Sequence, residues 1–234
     1  MVDAIILAGG FGTRLRDIVP NVPKPLAPIN GVPFLDLLID QIEKSGVVEK
    51  IVLAVGYRAD AIIQYFENRS SGVPVLFSRE EEPLGTGGAV RQAISLTTSD
   101  QIFVFNGDSY LNCSLSNMLT RFFKPLTIAY TYVENASRFG QLVVNSQNQV
   151  LAFREKSQNA EPGWINGGIY LFDRKVFDRS LPVVFSLEKD LFPQLLKDGV
   201  FGFRTDGIFI DIGTPESFAK AQMILQELQE TKLL

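Results

Sequence analysis

Histidine is absent from the 234-residue chain, which removes imidazole general bases, His-containing triads and His-rich metal sites. Cys113 is the single cysteine, so an intrachain disulfide and a thiolate metal cluster are excluded, in keeping with a reducing compartment. Long apolar runs are also missing. The opening run Ala4 to Ala8 meets glycines at once, and no later segment is long enough to span a bilayer, so an untargeted, soluble, cytoplasmic protein with no membrane partner is expected. Nor is there a surplus of positive charge: the formal net charge of -4 supplies no general pull toward nucleic acid. Chemistry must rest on carboxylates, Lys, Arg, hydroxyls and backbone groups.

What is present is 46% hydrophobic content, enough for a large core. The first half alternates strand and helix signals. Val2 to Leu7, Lys50 to Gly56, Val73 to Phe77 and Gln101 to Phe105 read as buried strands. Between them lie helical patterns over Phe34 to Lys44, through Ala59, Ile62, Ile63 and Phe66, and from PLGTGGA through Val90 and Ile94. Such alternation predicts right-handed crossovers and a largely parallel sheet covered on both faces, with ligands beyond the carboxyl ends of its strands. The loops at Gly9, Glu80 to Gly88 and Asn106 to Ser109 all fall there.

The second half changes character. Leu126 to Val133, Gly140 to Val144 and Val150 to Glu155 are strands with short connections and predict an antiparallel lid inserted into the core sheet, and Ile165 to Phe172 follows. A helix from Ser186 to Leu196, a strand at Val200 to Arg204 and FIDIG at 209 to 213 follow. Thr214 and Pro215 then open a final helix, whose apolar stripe at Ile224 and Leu228 covers either the core or a second copy in a homo-oligomer. The expectation is a single domain over residues 1–234, with 1–125, 126–213 and the C-terminal helix 214–234 as its successive parts.

The glycine loop AIILAGGFGTRLR fits neither well-known phosphate signature. Leu15 stands where the third glycine of GxGxxG belongs, and Thr13 is followed by Arg14 where Walker A needs GK[ST]. What remains is a run of exposed backbone amides beside a guanidinium, equally readable as a phosphate cradle or a tight turn. Lys24, between Pro23 and Pro25, presents one ammonium at a fixed place or is a solvated loop lysine. EEPLGTGGA brings backbone against a base and ribose or simply starts a helix. Asp108 and Asp211 each close an apolar strand and could hold Mg²⁺ with phosphate oxygens and waters, although turn carboxylates are common. Glu155 and Lys156 offer a carboxylate and an ammonium. Gly167 and Gly168 inside an apolar strand mark a bulge or a polyol lying against the backbone.

Together these segments, Gly9 to Leu15, Lys24-Pro25, Pro83 to Ala89, Gly107-Asp108, Glu155-Lys156, Asn166-Gly167-Gly168 and Asp211, resemble the sugar-1-phosphate nucleotidyltransferases over nearly the whole chain. The bacterial D-glycero-α-D-manno-heptose 1-phosphate guanylyltransferases are the most similar members. Arg138-Phe139-Gly140 resembles the sugar-side loop of relatives that more often carry Tyr at the middle position, so Phe139 lacks that hydroxyl. The resemblance implies an α/β, Rossmann-like core with a mixed, mostly parallel central sheet and a small antiparallel sugar-side region. It implies transfer of a nucleoside monophosphate, GMP from GTP, to a sugar 1-phosphate, with residues 1–125 mainly binding nucleotide and 126–213 mainly binding sugar phosphate.

It also implies site residues. Arg14, Lys24, Asp108, Lys156 and Asp211 are the expected catalytic set, with Mg²⁺ on Asp108 and Asp211. Leu7, Ala8, Gly9, Gly10, Gly12, Thr13, Arg14, Lys24, Glu80, Pro83, Gly85, Thr86, Gly87, Gly88, Asn106 and Gly107 are expected at the nucleotide. Ser109, Gly140, Glu155, Lys156, Asn166, Gly167 and Gly168 are expected at the sugar phosphate. Two alternatives stay open: a uridylyl- or thymidylyltransferase acting on a hexose or N-acetylmuramate 1-phosphate, and a noncatalytic nucleotide-sugar sensor.

Overall fold

The computed structural model describes residues 1–69, 71–154 and 161–230, with side chains followed to Gln226. Its first half contains strands β1 (Val2–Leu7), β2 (Pro28–Ile29), β3 (Val32–Pro33), β4 (Val48–Val55), β5 (Val75–Arg79), β6 (Gln101–Asn106) and β7 (Ser109–Leu111). Helices α1 (Phe34–Lys44), α2 (Ala59–Glu67), α3 (Gly85–Ala93) and α4 (Leu115–Thr120) fall among them. The second half adds β8 (Leu126–Val133), β9 (Gln141–Val144), β10 (Gln149–Arg154), β11 (Gly163–Asp173), β12 (Val200–Arg204) and β13 (Phe209–Asp211), with helices α5 (Phe192–Leu195) and α6 (Pro215–Glu230).

One mixed sheet runs in the order β5-β4-β1-β6-β11-β8-β12-β10-β9. The first four strands are parallel, as the alternating pattern requires. The expectation of a mostly parallel sheet with an inserted lid needs correction. From β6 onward the pairing is antiparallel except between β8 and β12, and β11 joins the second half directly to the core. β9 also pairs with β11, closing the second-half strands into a small barrel-like ring. The reason is β11: at eleven residues it is long enough to pair β6 through one stretch and β8 along both ends.

Alternation places the core. In β1, Ala4 and Ile6 enter one apolar layer and Ile5 the other; in β4, Ile51, Leu53 and Val55 oppose Val52 and Ala54. Helices α1, α2 and α6 cover the first layer through Leu38, Ile62, Phe218 and Leu225, while α3 and α5 cover the second through Val90 and Phe192. Ile224 packs against the first layer, so this part of the terminal stripe faces the core; Leu228 lies beyond the described side chains. Thr214 caps α6, accepting from the Ser217 amide at 3.3 Å. No described helix is long and apolar enough to cross a membrane.

The helix expected from Ser186 to Leu196 is instead a π-helical turn at Leu187–Leu191, the single turn α5 and a 3₁₀ turn at Leu196–Asp198. Pro193 is the cause: it has no N–H for the carbonyl of Lys189, and its ring crowds that carbonyl, so the preceding turn widens. The Leu191 amide accordingly reaches back to the Ser186 carbonyl, 3.2 Å away.

Candidate active site

Past the carboxyl ends of β1, β4, β5 and β6 lies a cavity of about 600 Å³. Its lining includes Leu7, Ala8, Gly9, Gly10, Gly12, Thr13, Arg14, Lys24, Glu80, Pro83, Gly85, Thr86, Asn106 and Gly107, all expected at the nucleotide, and Asp108. The loop's glycines have separate reasons. Gly12 has φ +57°, and a Cβ there would come within 2.8 Å of Lys24 Cβ, so it lets the lysine stem pass beneath the loop. Gly107 permits the close approach of β6 to β1, its N–H donating to the Leu7 carbonyl at 3.0 Å. Leu15 is buried in the core, which is why the third glycine of a dinucleotide fingerprint has no place here.

Lys24 sits in a 3₁₀ turn started by Pro23, and its Nζ lies 2.6 Å from Asp108 Oδ2. Asp211 is brought to the same end by the antiparallel pairing of β13 with β7, where Asp211 faces Ser109 and the Ile212 N–H donates to the Asp108 carbonyl. Its carboxylate receives the Arg138 guanidinium at 2.8 Å and the Gly213 N–H at 3.1 Å. Among the described residues no three acidic, His or Cys side chains form a metal cluster. The protein therefore offers two hard oxygen donors, each balanced by a cation. That suits a Mg²⁺ whose remaining shell comes from phosphate oxygens and water, and it does not suit an all-protein metal cage.

At the opposite end, Glu80, Glu81 and Glu82 line the cavity. Glu80 Oε2 accepts the Leu84 N–H at 2.9 Å, and Oε1 occupies the space a Gly9 side chain would need. Burial pushes the Glu80 carboxyl above its ordinary value, with the Leu84 hydrogen bond acting the other way. Gly85, with φ +72°, and Thr86 line the cavity, but Gly87 and Gly88 do not. Their small size serves a different neighbour: a Cβ at Gly87 would strike the Phe185 ring, and one at Gly88 the Val183 carbonyl. Both amides donate to the Phe185 carbonyl, at 2.9 and 3.3 Å.

The sugar-side residues are assembled less directly. Between Asn166 and Tyr170 the register of β11 against β8 slips, so the two glycines form a bulge. A Cβ at Gly167 would meet Leu111 and one at Gly168 would meet Ser109 Oγ, so protein atoms and not open space lie over them. Ser109 Oγ is buried and has no hydrogen-bond partner among the described residues. The Gly140 carbonyl accepts the Asn166 N–H at 3.0 Å. Glu155 and Lys156 lie outside the described residues.

Sequence reasoning missed several lining groups. The Phe11 and Tyr57 rings lie 5.5 Å apart, tilted at 45°, beside the glycine loop, and Tyr170, Leu187 and Glu188 close the far wall. Phe11 and Tyr57 carry no motif of their own in the sequence, and Glu188 lies inside the expected Ser186 to Leu196 helix.

Residues 3–227 match the model of a family described as nucleotidyl transferase. The D-glycero-α-D-manno-heptose 1-phosphate guanylyltransferase of Aneurinibacillus thermoaerophilus is 40% identical over 96% of this chain and 99% of that protein. Its namesake in Campylobacter jejuni is 38% identical over 93% of this chain and 97% of that protein. The solved structure of HddC from Yersinia pseudotuberculosis complexed with GMP-PN is 35% identical, with a TM-score of 0.86 over 96% of this chain and 100% of that one. With this match across almost the full length, on a fold whose strand ends converge on one cavity, the chain belongs to the nucleotidyl transferase family, as a sugar-1-phosphate nucleotidyltransferase.

Proposed function

We propose that the chain transfers GMP from GTP to D-glycero-α-D-manno-heptose 1-phosphate, giving GDP-heptose and pyrophosphate. The observation that carries the base is Glu80 beside Gly9. A guanine edge presents two adjacent donors, N1–H and N2–H, which one carboxylate accepts together; uracil and thymine offer a single N–H flanked by carbonyls that a carboxylate repels. Two relatives that match over nearly the full length of both chains, at 40% and 38% identity, bear the heptose name, which supports the acceptor.

In the reaction, an oxygen of the sugar phosphate attacks the α-phosphorus of GTP in line; the new P–O bond forms as the bond to the β-phosphate oxygen breaks. A phosphate monoester with a second pKa of about 6 is already anionic at neutral pH, so no protein base is needed and the absence of histidine is no obstacle. Arg14, exposed at the loop, meets the β- and γ-phosphates, and Lys24 offsets charge near the α-phosphate and leaving group. Lys156 is assigned to the incoming sugar phosphate. Asp108 and Asp211 would hold Mg²⁺, which when bound neutralises and aligns the two phosphates. Pyrophosphate release measured for four NTPs against heptose, mannose, glucose and N-acetylmuramate 1-phosphates, with Mg²⁺, tests the assignment. GTP with the heptose should give the highest kcat/KM; a preference for UTP or dTTP would overturn the base, and a preference for another sugar the acceptor.

A further inference from the structure

Arg14 lines the cavity from a stretch of chain that has little to hold it. Gly10 and Gly12 sit on either side of Phe11, Gly12 is in the left-handed region, and the exposed Arg14 guanidinium has no hydrogen bond or ion pair among the described residues. A cation on so loose a segment gives up backbone and rotamer freedom when it meets a triphosphate, and the loss subtracts from affinity unless the segment is docked beforehand.

The turn after β4 provides the dock. The Tyr57 N–H donates to the Gly9 carbonyl at 3.2 Å, where the glycine loop begins. Its ring lies 5.5 Å from the Phe11 ring, before Arg14, and 5.1 Å from the guanidinium carbon of Arg16, after it. One side chain thus grips the chain on both sides of Arg14. Phe11 is 54% exposed, and the Tyr57 ring is the aromatic surface it has found outside the core.

The next residue extends the grip. The Arg58 guanidinium carbon is 5.9 Å from the same ring, and its Nη1 donates to the Pro20 carbonyl at 3.0 Å, past the far end of the loop. Arg58 holds φ +56° and ψ 35°, a left-handed conformation that a residue with a Cβ keeps only where its surroundings impose it. Neither Arg16 nor Arg58 has a carboxylate partner among the described residues, so the electron-rich ring face is what draws the two like charges to one place.

We propose that Tyr57 is the positioning residue for Arg14: its ring docks the glycine loop on the turn after β4 and so presets the guanidinium for the outer phosphates of the nucleotide. This rests on the assignment of Arg14 to the β- and γ-phosphates above. Because Tyr57 acts through Arg14, its loss should be felt by a triphosphate and hardly by a monophosphate.

The test is calorimetry of GTP and GMP with Mg²⁺ and without sugar phosphate, on wild type, Tyr57→Leu, Tyr57→Phe, Arg14→Ala and the double variant Tyr57→Leu with Arg14→Ala. Tyr57→Leu should weaken GTP about 10-fold and GMP by less than about twofold. Tyr57→Phe keeps the ring face and should bind both ligands within about twofold of wild type. With Arg14 already replaced by alanine, Tyr57→Leu should change GTP affinity by less than about twofold, since no guanidinium is left to place. Multiplied losses in the double variant would overturn the assignment of Tyr57. So would equal weakening of GTP and GMP by Tyr57→Leu, with melting temperatures telling a direct nucleoside contact from a general loss of fold. Failure of Tyr57→Phe to restore GTP binding would overturn it as well, by showing that the ring face is not what matters. Absence of turnover by wild type with every sugar 1-phosphate would remove the functional reading alone, because the GTP and GMP affinities would still judge Tyr57.

Discussion

The two halves of the sheet build the cavity by different means. The parallel strands β1, β4, β5 and β6 contribute what lies past their carboxyl ends: Ala8 to Arg14, Gly56 and Tyr57, Glu80 to Pro83, and Asn106 to Asp108. The antiparallel half contributes from inside a strand, where the bulge in β11 turns Asn166 and Tyr170 toward one another and toward Glu188. Loop contacts supplied by backbone suit phosphates, which are alike in every nucleotide. A braced side-chain network suits a partner that must be told from its epimers.

The largest effect should come from the phosphate end. Asp108→Asn keeps the shape but weakens the attraction of Lys24 and removes a charged oxygen that would take a Mg²⁺. Turnover is expected to fall about 10²–10³-fold in a pyrophosphate assay, with secondary structure by circular dichroism unchanged. Turnover near wild type would break the comparison by showing that this half supplies shape alone.

A smaller and more selective loss should follow Glu80→Gln. The amide keeps an acceptor for the Leu84 N–H but cannot accept both guanine donors, so KM for GTP should rise about 10–100-fold by steady-state kinetics. Stability should move the other way. Because the folded protein holds the Glu80 proton more tightly than the unfolded chain, ionising this group costs stability as pH rises through its raised pKa. The variant should therefore melt higher than wild type near neutral pH, and the gain should shrink as pH falls to 4.5 and below.

The least expected effect on turnover, and the sharpest for the comparison, is Gly87→Ala. By sequence Gly87 belongs to the nucleotide loop, yet the added methyl would press into the buried Phe185 ring. Destabilisation of about 1–3 kcal/mol is expected from denaturant unfolding, with KM for the sugar phosphate raised more than KM for GTP. The reverse order would return Gly87 to the nucleotide side.

Legibility followed the same division. Val2 to Leu7, the glycine loop, Lys24-Pro25 and Asn106 to Asp108 could be read because a parallel strand buried on both faces leaves an unbroken apolar run, and the residues after it must turn. The meeting of Asp108 with Lys24 and of Asp211 with Arg138 could not, since these pairs join distant segments through tertiary packing. Gly87 and Gly88 misled because a glycine says only that something comes close, not what does. Glu188 was invisible because SLEKDLFPQL has good helical spacing, and only the missing amide of Pro193 hints that its first turn is wider.

Closure of the ring has a further consequence for solution behaviour. β9 returns to β11 at one residue pair, Gln141 with Ile165, whereas β5 at the other margin has no such return among the described strands. That edge spans five residues, has Leu76 partly exposed on it, and ends at Arg79, which pairs with Asp60 at 2.7 Å. A short, charge-terminated edge is a poor template for another chain, so the β5 margin of the nine-stranded sheet is a guarded one.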